Sequence, residues 1–157
     1  MENEDERSDY DPPQRLRRLP SWLTGELSRR AQLLVGEQLA QEGVRRQHFA
    51  VLTSLAEQGA ASQAELGRRL WIDRSDLHAI LRELERDGLV ARVRDARDRR
   101  RNVVTLTRTG AAALKRLDQR VDAAQSTLLG PLSASERREL LRMLERLVAA
   151  GDRQPRA

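Results

Sequence analysis

The chain has no cysteine and, among its 157 residues, a single lysine, Lys115. The absence of cysteine excludes disulfides, thiolate metal sites, cysteine nucleophiles and thiol redox sensing. The longest apolar runs are four residues long, whereas a membrane-spanning helix needs roughly 20. Residues 1–11 hold six acidic side chains and one arginine, which is the wrong charge for a signal peptide. We therefore expect a cytoplasmic protein.

Apolar surface is also limited. Hydrophobic residues make up 39% and charged residues 34% of the chain, which suits one domain with a modest core. A dimer that shares its core would ease this shortage. We predict a disordered acidic tail at residues 1–11, one domain at residues 12–150 and a flexible tail at residues 151–157.

Helical spacing of apolar residues dominates the domain. Residues 20–43 and 46–58 predict two helices, and residues 107–128 and 133–148 predict two more. The first of these helices and the last two carry more apolar residues than the small unit between them could cover. Two copies related by a two-fold axis would bury the remainder.

Two shorter helices are predicted between these pairs. Ser62 and Glu65 form a capping box that opens the first, and Asp73 caps the second, which ends at Gly88. A turn of three or four residues between two helices is typical of a helix-turn-helix. Trp71 lies in that turn, and we expect it to fill the core.

The apolar period then changes to two, which predicts strands at residues 89–94 and 102–107 around the polar loop 95–101. One face of the first strand is predicted to carry Leu89, Ala91 and Val93, and the other Arg92 and Arg94. A hairpin directly after a helix-turn-helix is a wing. The predicted fold class is therefore mainly α (α+β), a winged helix-turn-helix.

The positive charge is concentrated on this wing. Residues 89–110 hold seven arginines against two aspartates, a net charge of +5 that equals the net charge of the whole chain. A polyanion is the natural partner of such a ribbon. Single-stranded nucleic acids are held by stacking on aromatic side chains, and the hairpin has none. Double-stranded DNA is the partner that this pattern favours.

Five segments resemble the MarR family of bacterial transcriptional regulators. They are residues 63–70 (QAELGRRL), 73–76 (DRSD), 84–90 (LERDGLV), 95–100 (DARDRR) and 106–110 (LTRTG). The resemblance implies a homodimer in which helices from residues 12–45 and 111–150 interlock around the winged unit, residues 46–110. It also implies binding to pseudopalindromic operators, usually as a repressor that a small aromatic or phenolic ligand releases.

This resemblance implies roles for particular residues. The helix after Asp73 is expected to enter the major groove, the start of the preceding helix to contact phosphates, and the wing to place Arg100 in the minor groove, oriented by Asp98. The expected DNA-binding residues are Ser62, Gln63, Arg74, Ser75, Asp76, His78, Ala79, Arg82, Arg97, Asp98, Arg99, Arg100 and Arg101. About a third of these arginines are expected to form only intramolecular pairs.

The resemblance also implies a ligand cavity between the terminal helices and the winged unit. The candidate lining residues are Arg15, Arg18, Trp22, His48 and Phe49, and an ordinary interface role for His48 remains the alternative. We expect no metal, no cofactor and no contact with a membrane.

Three other functions compete with this interpretation. Catalysis is disfavoured because the chain has no glycine-rich phosphate loop and its two histidines lie on different predicted helices. A winged helix can also bind another protein, independently of any ligand, or activate transcription while constitutively bound to DNA.

Overall fold

The structure, a computed structural model, describes residues 11–94 and 102–151. Its elements are α1 (Pro20–Ala40), α2 (Arg46–Gln58), α3 (Gln63–Leu70), α4 (Arg74–Arg86), β1 (Val90–Arg94), β2 (Asn102–Leu106), α5 (Arg108–Leu128) and α6 (Ala134–Gly151). A 3-10 turn at Leu16–Arg18 precedes α1. This order confirms the mainly helical, winged helix-turn-helix fold. The disordered and flexible tails predicted at the two ends fall mainly outside the described residues.

One apolar core joins the winged unit to α5. Its buried side chains come from α2, α3, α4, both strands and α5, with one further residue from α1 and one from the segment between α2 and α3. They are Leu39, Val51, Leu52, Leu55, Ala61, Leu66, Leu77, Ile80, Leu81, Leu84, Val90, Val104, Leu114 and Leu117. The helix α1 packs along α5. The winged unit is therefore anchored to the two long helices.

Beside the two strands of the wing, a single residue forms a β-bridge that the sequence pattern does not reveal. The strands β1 and β2 pair antiparallel, from Val90 opposite Leu106 to Arg94 opposite Asn102. Ala61, just before α3, adds a bridge to Val104 through two backbone hydrogen bonds of 2.8 and 3.1 Å. The start of α3 is thereby fixed to the wing.

A tight contact joins the base of the wing to α5. The Thr107 hydroxyl donates to the Gly88 carbonyl at 2.7 Å, and it accepts from the Gly110 backbone N–H at 2.9 Å. A Cβ atom at Gly110 would lie 2.0 Å from the Leu89 carbonyl oxygen. Only glycine permits this approach, which accounts physically for the LTRTG segment.

The three apolar residues predicted to share one face of the first strand are not its buried residues. Val90 is buried, whereas Val93 is 43% exposed. The cause is the turn after α4, where Gly88 has φ 69° and the Leu89 N–H donates to the Leu84 carbonyl. Leu89 thus packs against the core from the turn, and the strand starts one residue later.

The expected core position of Trp71 is also wrong, because its side chain is 78% exposed. Trp71 ends α3 in a left-handed conformation, with φ 54°, which turns its side chain away from the helix pair. Leu66 and Leu77, both fully buried, occupy the space between α3 and α4 instead.

Candidate nucleic-acid interface

The start of α3 is a rigid, closed cap. The Ser62 N–H donates to Glu65 Oε2 at 2.7 Å, and the Glu65 N–H donates to the Ser62 hydroxyl oxygen at 3.3 Å. This reciprocal pair is the predicted capping box. It engages the Ser62 N–H, so a phosphate at this end would meet the N–H groups of the next residues. Gln63 Nε2 donates to the Arg74 carbonyl at 3.2 Å, which links the starts of α3 and α4.

The start of α4 is capped as the sequence predicts. The Asp73 carboxylate accepts from the Ser75 backbone N–H at 2.7 Å and from the Ser75 hydroxyl. These hydrogen bonds, led by that of the hydroxyl, hold the pKa of Asp73 below its usual range. Asp73 therefore stays ionised at neutral pH, and its charge complements the positive end of the helix dipole.

The two faces of α4 separate cleanly. Leu77, Ile80, Leu81 and Leu84 are buried. The candidates on the opposite side, all exposed, are Arg74, Ser75, Asp76, His78, Ala79 and Arg82. The structure therefore brings every sequence-predicted residue of this helix onto one accessible surface.

An open groove of about 660 Å³ lies between α3 and α4. Arg68 and Arg74 line it together with Gln63, so two cationic side chains flank the gap between the helices. Sequence reasoning missed Arg68, because only packing shows that α3 presents it beside the start of α4. Its position in the last turn of a short helix was the available signal.

The wing strands are described up to Arg94 and from Asn102 onward. Arg97, Asp98, Arg99, Arg100 and Arg101 lie outside the described residues. Arg92 Nε lies 3.1 Å from Glu85 Oε2, so this arginine pairs within the protein, across the joint between wing and α4.

Two of the five ligand candidates line one cavity. Arg15 and Arg18 line a cavity of about 340 Å³ together with Gln14 and Leu19. Trp22 is half-buried on α1, and Phe49 on α2 packs against the core. None of the lining residues of the Arg15 cavity comes from α2.

His48, the remaining ligand candidate, has a different environment. Its side chain is 8% exposed, and its Nε2 atom lies 2.9 Å from Glu83 Oε2 on α4. Burial, followed by the nearby charge of Arg45, lowers the pKa of His48 despite the opposing effect of Glu83. His48 is thus a buried link between α2 and α4.

No group of three metal-ligating side chains occurs in residues 11–94 and 102–151. Within the same part of the chain, each helix is too short or too polar to cross a bilayer.

A helix-turn-helix with an exposed polar second helix, followed by a basic two-stranded hairpin, defines a winged-helix protein that binds double-stranded DNA. A sequence model of the MarR family matches residues 42–101. An HTH-type transcriptional repressor of Mycobacterium tuberculosis is 35% identical over 113 residues, or 72% of this chain and 81% of the relative. The chain belongs to the MarR family and is a DNA-binding transcriptional regulator.

Two further similarities inform its function. The homoprotocatechuate degradative operon repressor of Escherichia coli is 30% identical over 106 residues, covering 68% of this chain and 72% of the relative. The crystal structure of a cysteine-to-serine mutant of Escherichia coli MarR in complex with operator DNA matches with a TM-score of 0.69 at 27% identity. That match covers 80% of this chain and 90% of the MarR chain.

Proposed function

We propose that this regulator is a homodimeric repressor that binds a pseudopalindromic operator and is released by a small aromatic ligand. The observation that carries the DNA-binding part is the exposed polar face of α4, directly opposite its buried apolar face. The proposal is supported by the similarity to MarR in complex with operator DNA.

In this proposal the exposed face of α4 reads bases in the major groove. Arg74, His78 and Arg82 supply donors for base edges, and Arg74 is at the helix end that enters first. Ser75 and Asp76 supply further hydrogen-bonding groups at that end of the helix. Ala79 presents a small apolar side chain on the same surface.

Phosphate contacts come from the helix pair and from the wing. Gln63 and Arg68 line the α3 side of the groove, and they bind one strand's phosphates together with Ser62 at the start of α3. In the wing, Arg100 enters the minor groove with Asp98 as its partner, and Arg97, Arg99 and Arg101 neutralise phosphates.

The dimer part of the proposal is supported by exposed apolar residues on the terminal helices. Leu23 and Leu27 of α1 are 52% and 36% exposed, and Leu147 and Val148 of α6 are 70% and 67% exposed. A two-fold interface formed by these helices buries them and places two α4 helices on one face. Half-sites spaced about 10 bp apart follow from that symmetry.

The ligand part is supported by the relative that represses an operon for homoprotocatechuate, an aromatic acid. Arg15 and Arg18 flank a cavity that offers two cations to a carboxylate. Trp22, half-buried on α1, is the candidate for the aromatic part of this site, whereas Phe49 and His48 of α2 do not line the Arg15 cavity. A double Arg15→Ala, Arg18→Ala variant is expected to keep operator binding and lose the response to aromatic acids such as salicylate. If aromatic acids leave the operator affinity of the unmodified protein unchanged, the ligand proposal fails.

The decisive experiment selects bound fragments from random duplex DNA and footprints the consensus. The expected result is two inverted half-sites protected together, with log affinity falling linearly as log salt rises. A single protected half-site contradicts the symmetric dimer. Failure to enrich any duplex, with salt-independent binding to another protein instead, favours the protein-interaction alternative.

A further inference from the structure

Two carboxylates near the end of α4 connect this helix to different neighbours. Glu83 faces the start of α2, where Arg45 Nη2 donates to Glu83 Oε2 at 2.6 Å. Glu85 faces the wing, where Arg92 Nε lies 3.1 Å from Glu85 Oε2. The helix that presents the DNA-reading surface is therefore connected to α2 on one side and to β1 on the other.

These two carboxylates lie on opposite flanks of α4. Residues two positions apart are separated by about 200° around an α-helix. The buried residues, Leu77, Leu81 and Leu84 among them, lie between these flanks on the inner face. Apolar contact is non-directional and depends on area, so it tolerates a small rotation of the helix. Charge-assisted hydrogen bonds have preferred distances and angles, so the two pairs fix that rotation.

His48 strengthens the connection to α2. The Arg45 backbone N–H donates to His48 Nδ1 at 3.2 Å, so Nδ1 carries no proton. The proton of the neutral ring therefore lies on Nε2, which donates to Glu83 at 2.9 Å. One buried imidazole thus completes the cap of α2, in the position usually held by Glu or Gln, and holds Glu83.

We propose that Glu83 and Glu85 are positioning residues that set the rotation of α4 and thereby the alignment of its exposed face with the bases. This inference rests on the proposed DNA-binding function and adds residues that do not touch DNA. Base edges are read at hydrogen-bond distance, whereas phosphate attraction is long-ranged. Loosening α4 therefore lowers affinity for the operator more than affinity for unrelated duplex.

The direction of the change in DNA affinity distinguishes a positioning role of the two glutamates from a purely electrostatic one. Replacing either glutamate by glutamine removes a negative charge close to the DNA-reading surface. Electrostatics alone predicts tighter binding to every duplex, because repulsion of the phosphates decreases. Positioning predicts weaker binding to the operator and unchanged or tighter binding to a shuffled duplex.

The experiment compares Glu83→Gln, Glu85→Gln and the double variant with an Asp87→Asn control. Asp87 pairs with Arg86 at the end of the same helix, with Arg86 Nε 3.0 Å from Asp87 Oδ1. The control therefore removes the same charge from the same end of α4, and the ion pair that it breaks lies within that end of the helix. Each single variant is expected to lower the ratio of operator to shuffled-duplex affinity about fivefold, because one of the two ion pairs that hold α4 is lost. The control is expected to keep the ratio.

Amide hydrogen exchange of α4 in the free protein supplies a readout that does not need DNA. Exchange is expected to accelerate in Glu83→Gln and Glu85→Gln and to remain unchanged in Asp87→Asn. Faster exchange with an unaltered affinity ratio, or equal exchange in all variants, overturns the proposal. Absence of any sequence preference in the unmodified protein contradicts the proposed function instead, and the exchange comparison still tests whether the glutamates hold α4.

Discussion

The winged unit and the terminal helices bury their apolar residues to very different degrees. In α4, Leu77 and Leu81 are fully buried within one protomer. In α6, Leu141 and Leu147 remain 59% and 70% exposed. Both helices have apolar residues at helical spacing, so the pattern alone does not distinguish them. Only the neighbours that the fold supplies to each helix account for the difference.

This contrast shows which part of the molecule a single chain can stabilise. The winged unit closes its core with its own elements and with α5. The exposed leucines of α6 contribute to folding only when a further surface covers them, because apolar area counts when it leaves water. Stability of the winged unit and assembly of the terminal helices are therefore separable properties, and substitutions in each test the comparison.

The largest expected effect comes from Leu81→Ala in the winged unit. Its side chain is fully buried, and loss of a buried leucine creates a cavity that costs about 2–5 kcal/mol of unfolding free energy. Denaturant unfolding measures this loss. Leu147→Ala is the matched control, since the same atoms are removed from a side chain that is 70% exposed in the protomer. An equal loss for both variants at low protein concentration would contradict the separation of the two regions.

Gly110→Ala tests the joint between the regions. The added Cβ would lie 2.0 Å from the Leu89 carbonyl oxygen, so the wing or the start of α5 has to move. Strain of this kind costs about 1–3 kcal/mol, measurable as a lower melting temperature. Gly25→Ala is the control, because nothing lies within 4 Å of a Cβ at that position of α1. Equal melting temperatures for Gly110→Ala and the unmodified protein would rule out the tight joint.

Local signals in the sequence predict the elements of the winged unit well. The Ser62 and Asp73 caps, and the separation of buried from exposed residues on α4, depend on neighbours only a few residues away. The predicted end of α1 is too late, since the predicted helix continues to Gly43 whereas α1 ends at Ala40. Helix ends depend on the turn that follows as much as on the helix itself.

Contacts between distant residues could not be predicted in the same way. The β-bridge to the wing is formed by a single residue, Ala61. A sequence pattern cannot reveal it, because one residue has no periodicity. Which residue of β1 is buried depends on where the Gly88 turn ends, because Leu89 packs against the core from that turn and Val90 is the first residue of the strand. The pairing of His48 with Glu83 depends on how α2 packs against α4. The sequence therefore predicted which residues of α4 are exposed, but not the side chains that connect α4 to its neighbours.

Arg100→Ala tests whether the wing contributes to operator binding together with α4. Loss of one minor-groove contact is expected to cost roughly 1–3 kcal/mol of operator binding. Gel-shift titration at fixed salt measures the change, with Arg138→Ala on α6 as a control of equal charge. Wild-type operator affinity for Arg100→Ala would refute the role in the minor groove.

The smallest expected effect is a pH dependence that belongs to the winged unit alone. His48 faces Arg45 of its own helix start and Glu83 and Asp87 from α4, and the net effect of burial and these charges lowers its pKa. The unfolded chain, in which a histidine titrates near about 6.5, therefore binds a proton more readily than the folded protein. The unfolding free energy is thus complete above that pH and decreases as the pH falls from there through the lowered pKa of the folded state. Protonation of Nδ1 also removes the acceptor of the Arg45 N–H.

Unfolding measured between pH 7 and pH 5 should show a steeper loss of unfolding free energy for the unmodified protein than for His48→Gln. Equal slopes for the unmodified protein and His48→Gln would mean that this imidazole is not the group that connects protonation to the stability of the winged unit.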